Sequence, residues 1–254
     1  MSSFKDTRST ERLALVRWAA RIGAVTAEAV AERAELTDAS ARSRLLAAER
    51  RGLLARWKPL AGQPALFTVT GAGLRASGTS SLRPARVSAS SAQHAIVCAG
   101  VAARLERAYP GHLLMGEPEL RREETELSGP GFLSAEMPPR GGRGRLHRPD
   151  LALCPIGGGA LPVAVEVELT VKAPARLAEI CRAWARCRRV SGVLYLTPPG
   201  VARPLARAID RAGGADRICV LGLELARARE VACADQPREP SQPARTVDDG
   251  GSTI

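Results

Sequence analysis

The first third of the chain is a series of short apolar stripes with helical spacing, separated by polar residues. Apolar positions recur every three or four residues in three stretches, which predicts helices over residues 10–22, 27–34 and 39–51. Two apolar runs, 53–58 and 65–70, have the length and composition of strands, with a Pro- and Gly-containing turn between them. Three helices followed by a two-stranded hairpin is the element order of a winged helix-turn-helix. We therefore predict such a domain over residues 8–72.

The polar residues of this segment indicate a DNA-binding surface. In a winged helix the third helix enters the major groove, and the hairpin contacts the phosphate backbone. The candidate DNA-binding residues are Ser40, Arg42, Ser43 and Arg44 on the third helix, with Arg51, Arg56 and Lys58 around the hairpin. Winged helices also serve as protein-docking modules, and this alternative stays open from the sequence.

The remaining chain alternates helical and strand-like segments, which predicts an α/β (α+β) domain with a mixed sheet over residues 92–226. Residues 73–91 are rich in Gly, Ser and Ala and are predicted to be a linker containing at most a short helix, and residues 235–254 a disordered tail. His94 lies near the start of the next helix, where we expect it to cap or pack rather than to bind a metal. The segment 121–146 has no clear period and is predicted to be a long loop. The predicted order is helix 92–109, strand 112–120, strand 151–154, strand 163–169, helix from 174, strand 192–197, helix 201–212 and strand 217–223.

Three acids fall where the two central strands are expected to meet. Glu166 and Glu168 are two residues apart, so on a strand they share a face about 7 Å apart. A hairpin would bring Asp150, at the start of the preceding strand, to the same end of the sheet. Three converging carboxylates form a hard-oxygen site suited to Mg²⁺ or Mn²⁺. The plainer alternative is that the two glutamates form the solvent face of an alternating strand.

Composition favours a polyanionic partner and no membrane. The net charge is +11 and the pI is near 10.4, which is typical of proteins that bind nucleic acid, although an Arg- and Ala-rich chain also arises from genomic base bias. No apolar run reaches the length of a spanning helix, and the first residues lack the apolar core of a secretory signal. The six cysteines include no CxxC pair and the three histidines are scattered, so a structural zinc site is not expected. A reducing cytoplasm is the expected location.

The pattern around the acids resembles the PD-(D/E)XK nuclease superfamily, whose motif is Pro-Asp, a hairpin and Asp/Glu-x-Lys. Pro149-Asp150 and Glu166 match that motif, whereas Glu168 occupies the lysine position and Lys172 is the candidate for a displaced lysine. The resemblance implies an αβββαβ core and a Mg²⁺- or Mn²⁺-dependent DNA nuclease. In that case Asp150, Glu166, Glu168 and Lys172 would be catalytic, and the three acids would hold the metal.

Taken over residues 10–222, the chain resembles the replication-relaxation family of actinobacterial plasmids and mobile elements. The matching segments are 94–105, EPELR at 117–121, RPD at 148–150 and EVELT at 166–170. The resemblance implies a DNA-binding protein that acts in replication or DNA processing, with double-stranded DNA, a second copy of the chain and replication or transfer proteins as expected partners. Two versions remain: a metal-dependent nuclease, and a non-enzymatic regulator or assembly factor on a degenerate nuclease fold.

Overall fold

A computed structural model describes residues 2–127, 129, 131–141 and 143–224. The predicted disordered tail, residues 235–254, lies outside the described residues. Within this described part of the chain, no helix combines the length and apolar character that crossing a membrane requires.

Three helices and a hairpin form the N-terminal part of the fold. They are α1 (Ser2–Ile22), α2 (Ala27–Ala34), α3 (Asp38–Arg50), β1 (Leu54–Trp57) and β2 (Leu66–Val69), with β1 and β2 antiparallel. The side chains of Thr26 and Thr37 accept hydrogen bonds from backbone N–H groups in the first turns of α2 and α3, as N-caps do. Helix α1 starts well before the predicted residue 10, because the polar residues ahead of it contain no proline or glycine to stop the helix.

The predicted linker is partly helical and is followed directly by the second unit. It begins inside α4 (Gly71–Ala76), and the long helix α5 (Ala89–Ala108) starts before the linker was expected to end. Ser88 caps α5 through a reciprocal pair of hydrogen bonds with Ser91. His94 is therefore one turn inside the helix and is not its cap.

A mixed sheet of five strands forms the centre of the molecule, as the sequence predicts. Its strands and the two helices that connect the last three of them are β3 (His112–Gly116), β6 (Leu151–Pro155), β7 (Val163–Val167), α7 (Pro174–Arg186), β8 (Gly192–Thr197), α8 (Pro199–Ala212) and β9 (Ile218–Gly222). The strand order is β3-β6-β7-β8-β9, with antiparallel pairing from β3 to β7 and parallel pairing from β7 to β9. One face packs against α5 and the N-terminal helices, and the other against α7 and α8.

The segment predicted as a long loop is structured. It contains the last two residues of α6 (Glu117–Arg122), a π-helical turn (Glu123–Leu127) and nearly all of a hairpin of β4 (Ala135–Arg140) and β5 (Arg143–His147) that packs against α7. The predicted strand 112–120 is too long, because Pro118 and its acidic neighbours start a helix. The hairpin was not predicted, because β4 contains two prolines. Proline is tolerated in a strand only outside the central positions of a sheet, and β4 belongs to a separate two-stranded sheet.

The N-terminal helices and the sheet share one apolar core. Helix α2 packs on α5, while α1 packs on α6 and β3. Glu106 of α5 accepts hydrogen bonds from Trp18 and Arg33 of the N-terminal helices. At Gly116 the two parts are so close that a Cβ atom would lie 2.4 Å from the carbonyl oxygen of Arg21.

Candidate functional site

The two acidic segments form adjacent antiparallel strands, as predicted. Leu151 of β6 pairs with Val165 of β7, so Asp150, one residue before β6, lies beside the end of β7 that carries Glu166. The backbone therefore brings the acids to the same end of the sheet. Their side chains, however, have separate surroundings.

Asp150 belongs to a cluster with two residues of α5. Its Oδ2 accepts a hydrogen bond of 2.7 Å from the backbone N–H of Val167 and lies 3.2 Å from His94 Nε2. The same His94 nitrogen is 3.1 Å from the carbonyl oxygen of Val167, and Cys98 Sγ is 3.5 Å from His94 Nδ1. Of the side chains that the structure describes, His94, Cys98 and Asp150 are the only group of three metal-ligating residues whose ligand atoms all lie within 4.8 Å.

The electrostatics of this cluster follow from burial and from the Asp150 charge. The hydrogen bond to Asp150 is the main reason that the pKa of His94 is raised above its ordinary value, and it outweighs partial burial. Burial, supported by the nearby carboxylates, holds the pKa of the Cys98 thiol well above its ordinary value. Without a bound cation, the thiol is therefore protonated at neutral pH.

Glu166 is buried on the face of the sheet that α7 covers. Its Oε1 accepts a hydrogen bond of 3.0 Å from Trp184 Nε1 and is 2.8 Å from His147 Nε2, and the residue is only 6% exposed. Burial raises the pKa of Glu166, although the charge of His147 opposes the change. Burial lowers the pKa of His147, but the attraction of the Glu166 carboxylate outweighs this effect, so the pKa of His147 is also raised.

Glu168 and Lys172 form an ion pair with each other. Glu168 is also 6% exposed, and its backbone N–H bonds to the carbonyl of Leu196. Strand β7 ends at Val167, so the chain turns and Lys172 reaches back to Glu168 instead of lying a strand's length away. The partner of Lys172 is thus a carboxylate, and its role as a displaced lysine stays a prediction.

The predicted three-carboxylate site for Mg²⁺ or Mn²⁺ does not fit these side chains. Glu166 is engaged by Trp184 and His147, and Glu168 by Lys172. Asp150 instead has nitrogen and sulfur neighbours, whereas Mg²⁺ prefers an all-oxygen shell. We derive no hydrolytic step through such a metal. The sequence reasoning missed His94 and Cys98, whose separation of four residues on one helix was the available signal.

The His94, Cys98 and Asp150 cluster opens into a cleft with a volume of about 880 Å³. The cleft lies between α5, the start of α6 and the segment 81–87. Five arginines line it: Arg83, Arg86, Arg121, Arg122 and Arg148. The last three pair with neighbouring glutamates, whereas Arg83 and Arg86 are exposed and form no ion pair within the described residues.

Three of the predicted DNA-binding residues come together on a second surface, around α3 and the β1–β2 hairpin. Arg42, Arg56 and Lys58 line a concavity of about 240 Å³ between the helix and the hairpin. Two of the arginines on this surface have acidic neighbours, with Arg44 3.2 Å from Glu11 and Arg56 3.3 Å from Glu49. All seven candidates are exposed: Ser40, Arg42, Ser43, Arg44, Arg51, Arg56 and Lys58.

No family model, curated protein or solved structure matches the chain. The likeness to the replication-relaxation family therefore rests on the residues quoted above and stays a prediction.

Proposed function

We propose that this chain is a DNA-binding protein that holds duplex DNA on the surface formed by α3 and the β1–β2 hairpin. The observation that carries the proposal is that Arg42, Arg56 and Lys58 line one concavity between the helix and the hairpin. A helix and a hairpin of this arrangement suit the major groove and the adjacent phosphates of a winged-helix complex.

The chemistry of this surface supports a nucleic-acid partner over a protein partner. The first half of α3 exposes Ser40, Arg42, Ser43 and Arg44 and buries Ala41 and Leu45, so its outer face carries hydroxyl and guanidinium donors. Such donors reach phosphates and base edges. The ion pairs of Arg44 and Arg56 with glutamates are exposed and contribute little to stability, so phosphates can replace those carboxylates.

The second half of the chain favours the non-enzymatic version of this function. Two of the three carboxylates expected to hold Mg²⁺ are buried in internal contacts, with His147 and Trp184 around Glu166 and Lys172 beside Glu168. We therefore propose a regulator or assembly factor that acts in replication or DNA processing of a mobile element, as the family resemblance suggests. Metal-dependent cleavage that is lost in Asp150→Ala while DNA binding persists would replace this version with the nuclease.

The test is the affinity for a fluorescein-labelled duplex, measured by anisotropy at fixed salt. The triple substitution Arg42→Ala, Arg56→Ala and Lys58→Ala should weaken binding at least about tenfold, since one lost charge-assisted contact is worth about 1.5 kcal/mol. A charge-matched control removes the exposed Arg203, Arg207 and Arg211 of α8. Equal losses in both variants would mean that only overall charge matters, and a larger loss in the control would place the DNA on α8; either result contradicts the proposal.

A further inference from the structure

We propose that His94, Cys98 and Asp150 form a binding site for a zinc-type transition-metal ion on the wall of the arginine-lined cleft. The proposal is independent of DNA binding by α3 and the hairpin. It also replaces the Mg²⁺ site expected from the acidic strand, which does not fit the side chains. The site shares only Asp150 with that earlier expectation.

The distances suit a four-coordinate ion. With bonds of about 2.0–2.2 Å to nitrogen and oxygen and about 2.3 Å to sulfur, tetrahedral ligand atoms lie about 3.3–3.7 Å apart. His94 Nε2 and Asp150 Oδ2 are 3.2 Å apart, and Cys98 Sγ is 3.8 Å from the same nitrogen. All the ligand atoms lie within 4.8 Å of one another, so side-chain shifts of up to about 1 Å would bring them to tetrahedral separations.

The backbone holds the ligands ready for an ion. His94 and Cys98 are four residues apart on α5, which places them one above the other on the same helix face. The N–H of Val167 donates to Asp150 Oδ2 and so fixes the carboxylate. Groups that orient ligands in this way are a regular feature of metal sites.

The donor set selects the metal class and leaves one position for an exchangeable ligand. One neutral imidazole, one thiolate and one carboxylate suit Zn²⁺ or Co²⁺, whereas Mg²⁺ disfavours sulfur. Binding of the ion therefore releases the Cys98 thiol proton to solvent. Three protein ligands leave the fourth position to water or, as a nearby protein donor, to the carbonyl oxygen of Val167, which is 3.1 Å from His94 Nε2. The cluster lines the same cleft as the exposed Arg83 and Arg86, so an anionic group entering the cleft could reach the ion.

The test uses Co²⁺ as a spectroscopic probe with the full-length, metal-stripped protein. We expect one equivalent of Co²⁺ to bind, with the visible bands of a four-coordinate ion and a near-ultraviolet thiolate charge-transfer band. Excess Zn²⁺ should displace it, and excess Mg²⁺ should not. Cys98→Ser should abolish the charge-transfer band, and His94→Asn or Asp150→Asn should each weaken binding by at least about 100-fold, the upper range for residues that merely orient a ligand.

The matched control is Cys154→Ser, which changes another half-buried thiol that lies near Met115. It should leave the spectrum and the affinity unchanged, and circular dichroism of each variant should match that of the native chain. A charge-transfer band that persists in Cys98→Ser would place the thiolate elsewhere. That result, or failure of the native chain to bind one equivalent of Co²⁺, would overturn the proposal.

Discussion

Replacing His147 tests whether the buried Glu166 is a structural charge instead of a free metal ligand. His147 Nε2 is 2.8 Å from Glu166 Oε1, its ring packs edge-on against Trp184 at 5.9 Å, and Glu166 is 6% exposed. Removing one member of a buried ion pair leaves the other charge buried without a partner, which costs about 3–5 kcal/mol. Protonation of Glu166, whose pKa burial already raises, limits that cost. We therefore expect His147→Ala to lower the free energy of unfolding by about 3 kcal/mol at pH 7.

The measurement is urea unfolding followed by circular dichroism, arranged as a double-mutant cycle with Glu166→Gln. In the Glu166→Gln background, His147→Ala should lower the free energy of unfolding by about 2 kcal/mol less, because residue 166 then carries no charge that would lose its partner. In thermal unfolding the single substitution should lower Tm by roughly 6–12 °C.

The control for this cycle is His112→Ala. His112 is half-buried and contacts the Tyr109 ring at 5.7 Å, but it forms no ion pair among the described residues. Its cost should be the same in both backgrounds. Additive effects of His147→Ala and Glu166→Gln would refute the reasoning, because Glu166 would then be solvated independently of His147.

Two further predictions concern the pH dependence of stability at His147 and the close backbone approach at Gly116. The pKa of His147 is raised above its ordinary 6.5, so its contribution to stability is full below pH 6.5 and is lost as pH rises through the folded-state value. The free energy of unfolding, measured by urea titration at several pH values, should therefore fall above pH 6.5. The slope of this free energy against pH should be shallower in Glu166→Gln, and an unchanged slope would contradict the pairing. Gly116→Ala should cost about 1–3 kcal/mol, because its Cβ would lie 2.4 Å from a backbone oxygen of Arg21. Gly111→Ala, whose Cβ meets nothing within 4 Å, should cost much less in the same unfolding experiment, and equal costs would contradict the close approach.

The order of the main elements could be predicted because the strongly periodic segments are also the ones that form the core. Leu177, Ile180 and Trp184 follow helical spacing and are buried in α7, and β8 has the predicted bounds 192–197. The hairpin between Asp150 and Glu166 was also predictable, since a glycine-rich turn separates two apolar runs.

The surroundings of the acids could not be predicted, because they depend on elements that are distant in sequence. His94 reaches Asp150 from 56 residues away, and Trp184 reaches Glu166 from the helix after the strand. His147 comes from the β4–β5 hairpin, which was predicted to be a loop because β4 contains prolines. The alternation of residues along β7 does not indicate which side chains cover Glu166. It also does not indicate that the strand ends before Glu168.

The salt dependence of duplex binding tests the central claim of DNA recognition by α3 and the hairpin most directly. Five basic side chains are expected at phosphates or base edges: Arg42, Arg44, Arg51, Arg56 and Lys58. If all five neutralise phosphates, the logarithm of the association constant should fall against the logarithm of salt concentration with a slope of about −4 to −5. The slope should be shallower by roughly 3 in the Arg42, Arg56 and Lys58 triple-alanine variant. A slope near zero in the native chain, or one that the triple substitution leaves unchanged, would contradict the account.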